Sequence, residues 1–306
     1  MKSKKVIILD RRCSEAGSWY AGTASSLKQQ IHDSFLSEWG YGKDPLEHPQ
    51  ERSSDPNFLG IVSPHAGYVY SGSIASHGYA EVFKRFESLD TVILLGPNHR
   101  GKGAPISFYP AGQWHTPLGS VSINEDLIRF AKNYDFGEGG NRIGFEESAH
   151  SFEHSIAIQL PFLQYLYNNH FQIAPICMGD QSYHLAVPLL SKFLVDYINT
   201  HPNERILIVA SSDFSHENNY DISVNNDKKM LSFLENMELD EAEDYRRKKP
   251  VTMCGYGPVF TLLKTAQKFG KPSVDVRKYA TNIDTNPDRS GGGYTVGYAS
   301  ILVSYQ

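Results

Sequence analysis

Three apolar segments of this chain each run into a histidine. Leu59–Val62 leads into Ser63-Pro64-His65-Ala66-Gly67, Thr91–Leu95 into Gly96-Pro97-Asn98-His99, and Ile206–Ala210 into Ser211-Ser212-Asp213-Phe214-Ser215-His216. Imidazole titrates near neutrality and is the commonest metal ligand, so histidines gathered at one place offer acid–base work or metal binding. Any one of them alone reads as a hydrogen-bonded loop residue. The shared position, just past the carboxyl end of an apolar strand candidate, is the informative feature, because strands of a parallel α/β sheet bring those ends to one edge, where ligands bind. Neighbouring Pro and Gly residues stiffen the loops or allow close backbone approach, which would hold the imidazoles in place.

Two further segments carry reactive groups. Glu153-His154 lies in a polar stretch just before the apolar run Ile156–Leu166, where Pro161 means that any helix starts late or kinks. Cys254 sits in Thr252-Met253-Cys254-Gly255-Tyr256-Gly257-Pro258, immediately before a predicted helix. A helix N-terminus lowers a thiol's pKa, so the expectation is a thiolate that forms readily for metal ligation or nucleophilic attack. Cys13 and Cys177 read as ordinary packing residues; with three cysteines far apart and no C-x-x-C pair, no disulfide framework is implied. No G-x-S-x-G, G-x-x-x-x-G-K or H-E-x-x-H occurs, which leaves common serine hydrolases, P-loop NTPases and zincins unsupported. Gly291-Gly292-Gly293 precedes a strand candidate rather than a helix, so it is not a phosphate loop.

The elements that must position these groups are legible as short β-branched apolar runs: Val6–Leu9, Leu59–Val62, Thr91–Leu95, Gln172–Ile176, Ile206–Ala210 and Tyr294–Val303. Continuous rather than alternating hydrophobicity suits strands covered on both faces. Helical patterns fall between them, over Ala24–Trp39, Ser73–Phe86, Glu125–Lys132 with Asn124 as N-cap, Leu185–Ile198, Ile222–Met237 and Pro258–Lys268. Strands alternating with helices predict an α/β layered fold. The stretch 40–57, rich in Pro, Gly, Ser and charge, reads as a surface loop, since too little chain precedes it to form a core. One domain spanning 1–306 is expected.

Composition narrows the function classes. The chain has 29 basic and 34 acidic residues, a net charge of -5, so it gains nothing electrostatically from nucleic-acid phosphates or an anionic leaflet. Its longest apolar run, Ile206–Ala210, falls far short of the roughly 20 residues of a membrane span. The run Val6–Leu9 behind Lys2, Lys4 and Lys5 is too short for a secretory signal. A cytoplasmic protein with neither nucleic acid nor membrane as partner is expected.

The motifs, taken in order, have a family likeness. Gly17-Ser18-Trp19-Tyr20, Pro64-His65-Ala66-Gly67-Tyr68-Val69-Tyr70-Ser71-Gly72, Leu95-Gly96-Pro97-Asn98-His99, Glu153-His154-Ser155-Ile156 with Leu160-Pro161, Ser211-Ser212-Asp213-Phe214-Ser215-His216 and Cys254-Gly255 resemble the Memo family, whose prokaryotic members are called AmmeMemoRadiSam system protein B. The likeness runs from about Ala16 to the C-terminus. It implies a fold similar to the class III extradiol dioxygenases, a central mostly parallel or mixed sheet with helices on both sides. It also implies a metal pocket with His65, His99 and Cys254 as ligands, lined by Asp213, His216 and His154. The dioxygenases hold Fe(II) with two histidines and a carboxylate; here Cys254 stands at the carboxylate position.

Two imidazoles and a thiolate leave a coordination position open and suit Fe, Cu or Zn rather than Mg or Ca. Asp213 could orient a ligand imidazole or fix the tautomer of His216, and His216 could then serve as a base. The resemblance implies iron or copper binding with redox activity, so the expectation is a metal-dependent redox or oxygen-using enzyme carrying Fe(II) or Cu, with Zn as a further occupant and a small molecule or peptide as pocket ligand. The rivals are a zinc hydrolase, a nucleophilic enzyme using Cys254, His216 and Asp213, or a non-enzymatic module that binds a peptide or metal in a vestigial dioxygenase pocket.

Overall fold

A computed structural model describes residues 10–49, 52, 55–249, 251–290 and 293–306. The chain begins with β1 (Asp10–Arg11), α1 (Ala24–Leu36), β2 (Phe58–Ser63), α2 (Tyr68–Arg85) and β3 (Thr91–Pro97). Short strands follow, β4 (Ile106–Phe108), β5 (Gln113–Thr116) and β6 (Gly119–Ile123), then α3 (Glu125–Asn133), β7 (Ile143–Phe145), α4 (His154–Ala157) and α5 (Leu160–Tyr167). Next come β8 (Gln172–Met178), α6 (Ala186–Thr200), β9 (Ile206–Ser211) and β10 (His216–Glu217). The chain closes with α7 (Tyr220–Glu235), α8 (Leu239–Lys248), α9 (Tyr256–Phe269), β11 (Pro272–Thr281), α10 (Asn282–Thr285) and β12 (Thr295–Tyr305).

The described strands join one mixed sheet in the order β1-β5-β6-β8-β3-β9-β2-β12-β10, with β11 pairing β12 and β4 joining β8 and β7. Its centre, β6-β8-β3-β9-β2, is parallel throughout. Every residue of β2, β3 and β9 is buried, as their unbroken hydrophobicity requires of strands covered on both faces. Two helices provide the cover. On one face α2 packs on β2 and β12 and is backed by α1 and α5; on the other α9 packs across β9, β3 and β12 with α6 behind it. Adjacent residues of β2 show the alternation: a Cβ added to Gly78 of α2 would meet Ile61 at 3.2 Å, and one added to Gly60 would meet Leu262 of α9 at 3.1 Å.

The expected α/β layering and mixed sheet are therefore present, and five of the six expected strands coincide with β2, β3, β8, β9 and β12; the sixth, Val6–Leu9, lies outside the described residues. Asn124 caps α3, its Oδ1 accepting the Leu127 N–H at 2.9 Å. Pro161 has the expected effect: α4 ends at Ala157 and α5 restarts with the proline in its first turn. Two differences matter. Helix α2 starts at Tyr68, five residues before the expected Ser73, because its first turn is held by Tyr68, whose hydroxyl donates to Ile158 O at 2.7 Å, rather than by an apolar stripe. The ten-residue β11 is not among the expected strands: its first seven residues alternate between half-buried and exposed and only Ala280 and Thr281 at its end are buried, so it lacks a continuous apolar run.

Candidate metal centre

The parallel pairs β3–β9 and β9–β2 make these three strands neighbours, so the segments carrying His65, His99 and Asp213 leave the sheet side by side at its carboxyl edge. The fourth contributor, Cys254, arrives from the loop ahead of α9. That loop is pinned at the cysteine and just after it. Gly255 N–H donates to Ser212 Oγ at 3.0 Å, Gln181 Nε2 donates to Cys254 O at 2.9 Å, and Gln181 Oε1 accepts the Gly257 N–H at 2.8 Å. A Cβ on Gly255 would stand 2.2 Å from Ser211 O, so only glycine permits this approach to β9.

One ligand atom from each of His65, His99 and Cys254 lies within 4.8 Å of the others, and Cys254 Sγ is 3.2 Å from His65 Nε2. Bonds of about 2.0 and 2.3 Å to one tetrahedral ion set nitrogen–sulfur spans of roughly 3 to 4 Å. His65 is buried, Cys254 half-buried and His99 exposed, so the cluster opens to solvent on the His99 side. A second group, His99, Glu153 and His154, adjoins it through His99.

His99 is held by Glu153, which is 1% exposed: Oε2 accepts its backbone N–H at 2.6 Å and Oε1 faces its Nδ1 at 2.9 Å. Burial alone would raise the Glu153 pKa, but the hydrogen bond and charge of His99 and the Ser155 N–H outweigh it and bring it down to about 2. An ionised carboxylate only accepts, so Nδ1 carries a proton, and in the neutral ring that leaves Nε2 bare. His65 places its Nδ1 2.8 Å from Ser211 Oγ. Burial, reinforced by the nearby His99, holds its pKa well below the usual range, so the ring is neutral.

Two expectations need correction. Asp213 orients no imidazole: its Oδ1 accepts the backbone N–H groups of His65 at 2.7 Å and Ala66 at 3.3 Å, so it fixes the His65 loop through the main chain. The tautomer of His216 is set by Thr252, whose carbonyl accepts from Nδ1 at 3.1 Å and leaves Nε2 as the basic nitrogen. Nor is the Cys254 thiol acidified. Burial pushes its pKa up and the Asp213 charge adds to this, while the first amide of α9 that reaches a side chain, Gly257 N–H, is spent on Gln181. A bound cation would reverse that balance.

His216 stands beside the pocket, half-buried, close enough that a proton on its ring would act on both Asp213 and His65; it is outside the convergent group. His154 lines the pocket wall, stacked between Trp19 at 4.0 Å and His99 at 4.7 Å between ring centroids. Its Nδ1 lies 3.5 Å from Glu153 Oε1 and makes no hydrogen bond with the described residues, and burial lowers its pKa to about 3. Among the described residues Cys254 Sγ faces His65 Nε2 and the backbone carbonyl of Asp213, His216 Nδ1 the carbonyl of Thr252, and the Asp213 carboxylate the main chain of His65, so these side chains do not form a nucleophile–base–acid relay. The positioning roles of Glu153, Ser211, Gln181 and Thr252 carry no local sequence signal, because each partner is distant in the chain.

A parallel-cored α/β protein with a two-histidine, one-cysteine cluster at its carboxyl edge is the class that fold and site define. The family of Memo-like proteins matches residues 11–302. A MEMO1 family protein of Sulfurisphaera tokodaii is 37% identical over 291 residues, 94% of this chain and 96% of the relative. One of Saccharolobus islandicus is 38% identical over 285 residues, covering 91% and 95%, and one of Saccharolobus solfataricus 36% identical over 284, with the same coverage. The chain belongs to the Memo-like family.

Proposed function

We propose that this protein is a metal-dependent redox or oxygen-using enzyme whose metal, Fe(II) or Cu, is held by His65, His99 and Cys254. The observation that carries the reading is the convergence of these three donors at bonding separation, with Nδ1 of both imidazoles already engaged elsewhere. Two neutral nitrogens and a sulfur fit a borderline or soft transition metal and reject Mg and Ca. When bound there, Fe or Cu supplies one-electron chemistry and an open position for oxygen or substrate.

The surrounding residues have distinct tasks. Glu153 keeps His99 oriented and electron-rich, and its charge, with that of Asp213, favours a cation at the cluster. Asp213 holds the His65 loop. The free Nε2 of His216 takes or returns a proton at the pocket edge, and the neutral face of His154 with Trp19 forms a flat wall for a small-molecule or peptide ligand.

The test is metal analysis of anaerobically purified protein together with oxygen uptake. Stoichiometric Fe or Cu, lost in His99→Ala and Cys254→Ala, with uptake that follows metal content, is the expected result. Zinc alone, or no metal together with selective alkylation of Cys254, overturns it in favour of a hydrolytic or nucleophilic enzyme. Neither metal nor thiol reactivity favours a binding module.

A further inference from the structure

The hydrogen bonds behind His65 can be counted to the last proton. Gln159, in the break between α4 and α5, has its Nε2 3.0 Å from Pro64 O and 2.9 Å from Ser211 Oγ. A carbonyl only accepts, so this side of the amide is the NH₂ and both its hydrogens are used. The other side, Oε1, accepts from the Tyr79 hydroxyl at 2.6 Å. Ser211 Oγ lies 2.6 Å from Ser155 O, again an acceptor, so the single serine proton goes there. Towards His65 Nδ1, at 2.8 Å, Ser211 can then only accept.

Tyr79, Gln159, Ser211, Ser155 and His65 are all at most 2% exposed, so bulk solvent does not exchange into the chain to relax this assignment. Unpaired polar groups are costly in such surroundings, and a fully satisfied network specifies one arrangement.

We propose that Ser211 is a positioning residue: with Gln159 and Ser155 consuming its other capacity, its hydroxyl fixes His65 as the Nδ1–H tautomer and leaves Nε2 bare towards Cys254. The consequence for metal binding rests on the ligand reading above; the tautomer assignment does not. The two orienting groups also differ in kind. His99 leans on the Glu153 carboxylate and His65 on a neutral hydroxyl, which makes His99 the more electron-rich of the pair.

The experiment is two-dimensional ¹⁵N–¹H imidazole NMR on the metal-free protein, followed by anaerobic competition titrations with Fe(II) and Cu(I). In the wild type His65 should show a protonated Nδ1 and a bare Nε2. Ser211→Ala should introduce the Nε2–H form and weaken metal binding about 10- to 100-fold, the usual range for loss of a ligand's orienting partner. Ser211→Thr, which keeps the hydroxyl, should restore both. Should Ser211→Ala not fold, Gln159→Leu releases one constraint on the hydroxyl and should show the same shift to a smaller degree. A wild-type His65 with its proton on Nε2, or a folded Ser211→Ala with unchanged tautomer and affinity, overturns the proposal. A wild type that holds the Nδ1–H form yet binds neither metal supports the tautomer assignment and removes the ligand reading alone.

Discussion

Glu153 grips His99 twice, through the backbone N–H at 2.6 Å and through Nδ1 at 2.9 Å. One carboxylate therefore fixes both the loop that carries the ring and the ring's rotation. Glu153→Gln keeps the size and one acceptor but removes the charge. Metal affinity should fall about 10- to 100-fold while the melting temperature changes little. Glu153→Ala should lose stability as well, on the order of 1–3 kcal/mol, because the His99 N–H is left without its partner. Competition titration and thermal denaturation of both variants check this; equal affinity in Glu153→Gln and wild type would remove the charge from the argument.

Cys254 tests the identity of the metal. A hydroxyl offers no thiolate near neutrality, so Cys254→Ser should weaken Cu and Zn most. Cys254→Asp rebuilds a two-histidine, one-carboxylate set and should shift preference towards Fe(II). Anaerobic competition between metals reads the order directly. An order unchanged in both variants means that sulfur is not a donor.

Gly255 separates placement from stability. Its Cβ position lies 2.2 Å from Ser211 O, which belongs to the sheet and cannot yield. Gly255→Ala must move the loop and carry Cys254 away from His65. Metal affinity should drop at least as far as in Cys254→Ser, with a stability loss of about 1–3 kcal/mol from strain. Retained metal affinity would show that the loop shifts without moving the sulfur.

Asp227 gives the fold a pH dependence of its own. It accepts the Ser215 N–H at 2.9 Å and the Tyr279 hydroxyl at 2.8 Å, and burial raises its pKa to about 6. The folded state thus holds this proton more tightly than the unfolded chain, whose aspartate titrates near 3.9. Below about pH 3.9 the group costs nothing; the cost grows as pH rises towards 6 and is complete above it, at about 3 kcal/mol as an upper bound. Relative to Asp227→Asn, the wild type should lose stability as pH rises from 4 to 7 in urea denaturation. A relative gain over that range would mean the carboxylate is held below its ordinary range instead.

Several features of this molecule are written locally and can be read as such. The unbroken apolar runs of β2, β3 and β9 specify buried strands, and the histidines just past them fall at the carboxyl edge of any parallel sheet those strands form. Asn124 as a cap and Pro161 as a break act within one turn of chain, so their effects follow from residue type alone. Other features arise only on folding. The half-exposed β11 has no apolar run to announce it and exists because it pairs with β12. The first turn of α2 depends on Tyr68 reaching Ile158. A helix N-terminus predicts an acidic Cys254, whereas burial, the Asp213 charge and the claim of Gln181 on the helix amide set the opposite direction. The orienting partners of the two histidines lie 54 and 146 residues away, at Glu153 and Ser211. Strand and turn preferences come from a residue's immediate neighbours, but a proton's place on a buried ring depends on which donors and acceptors the packed chain brings within 3 Å of it.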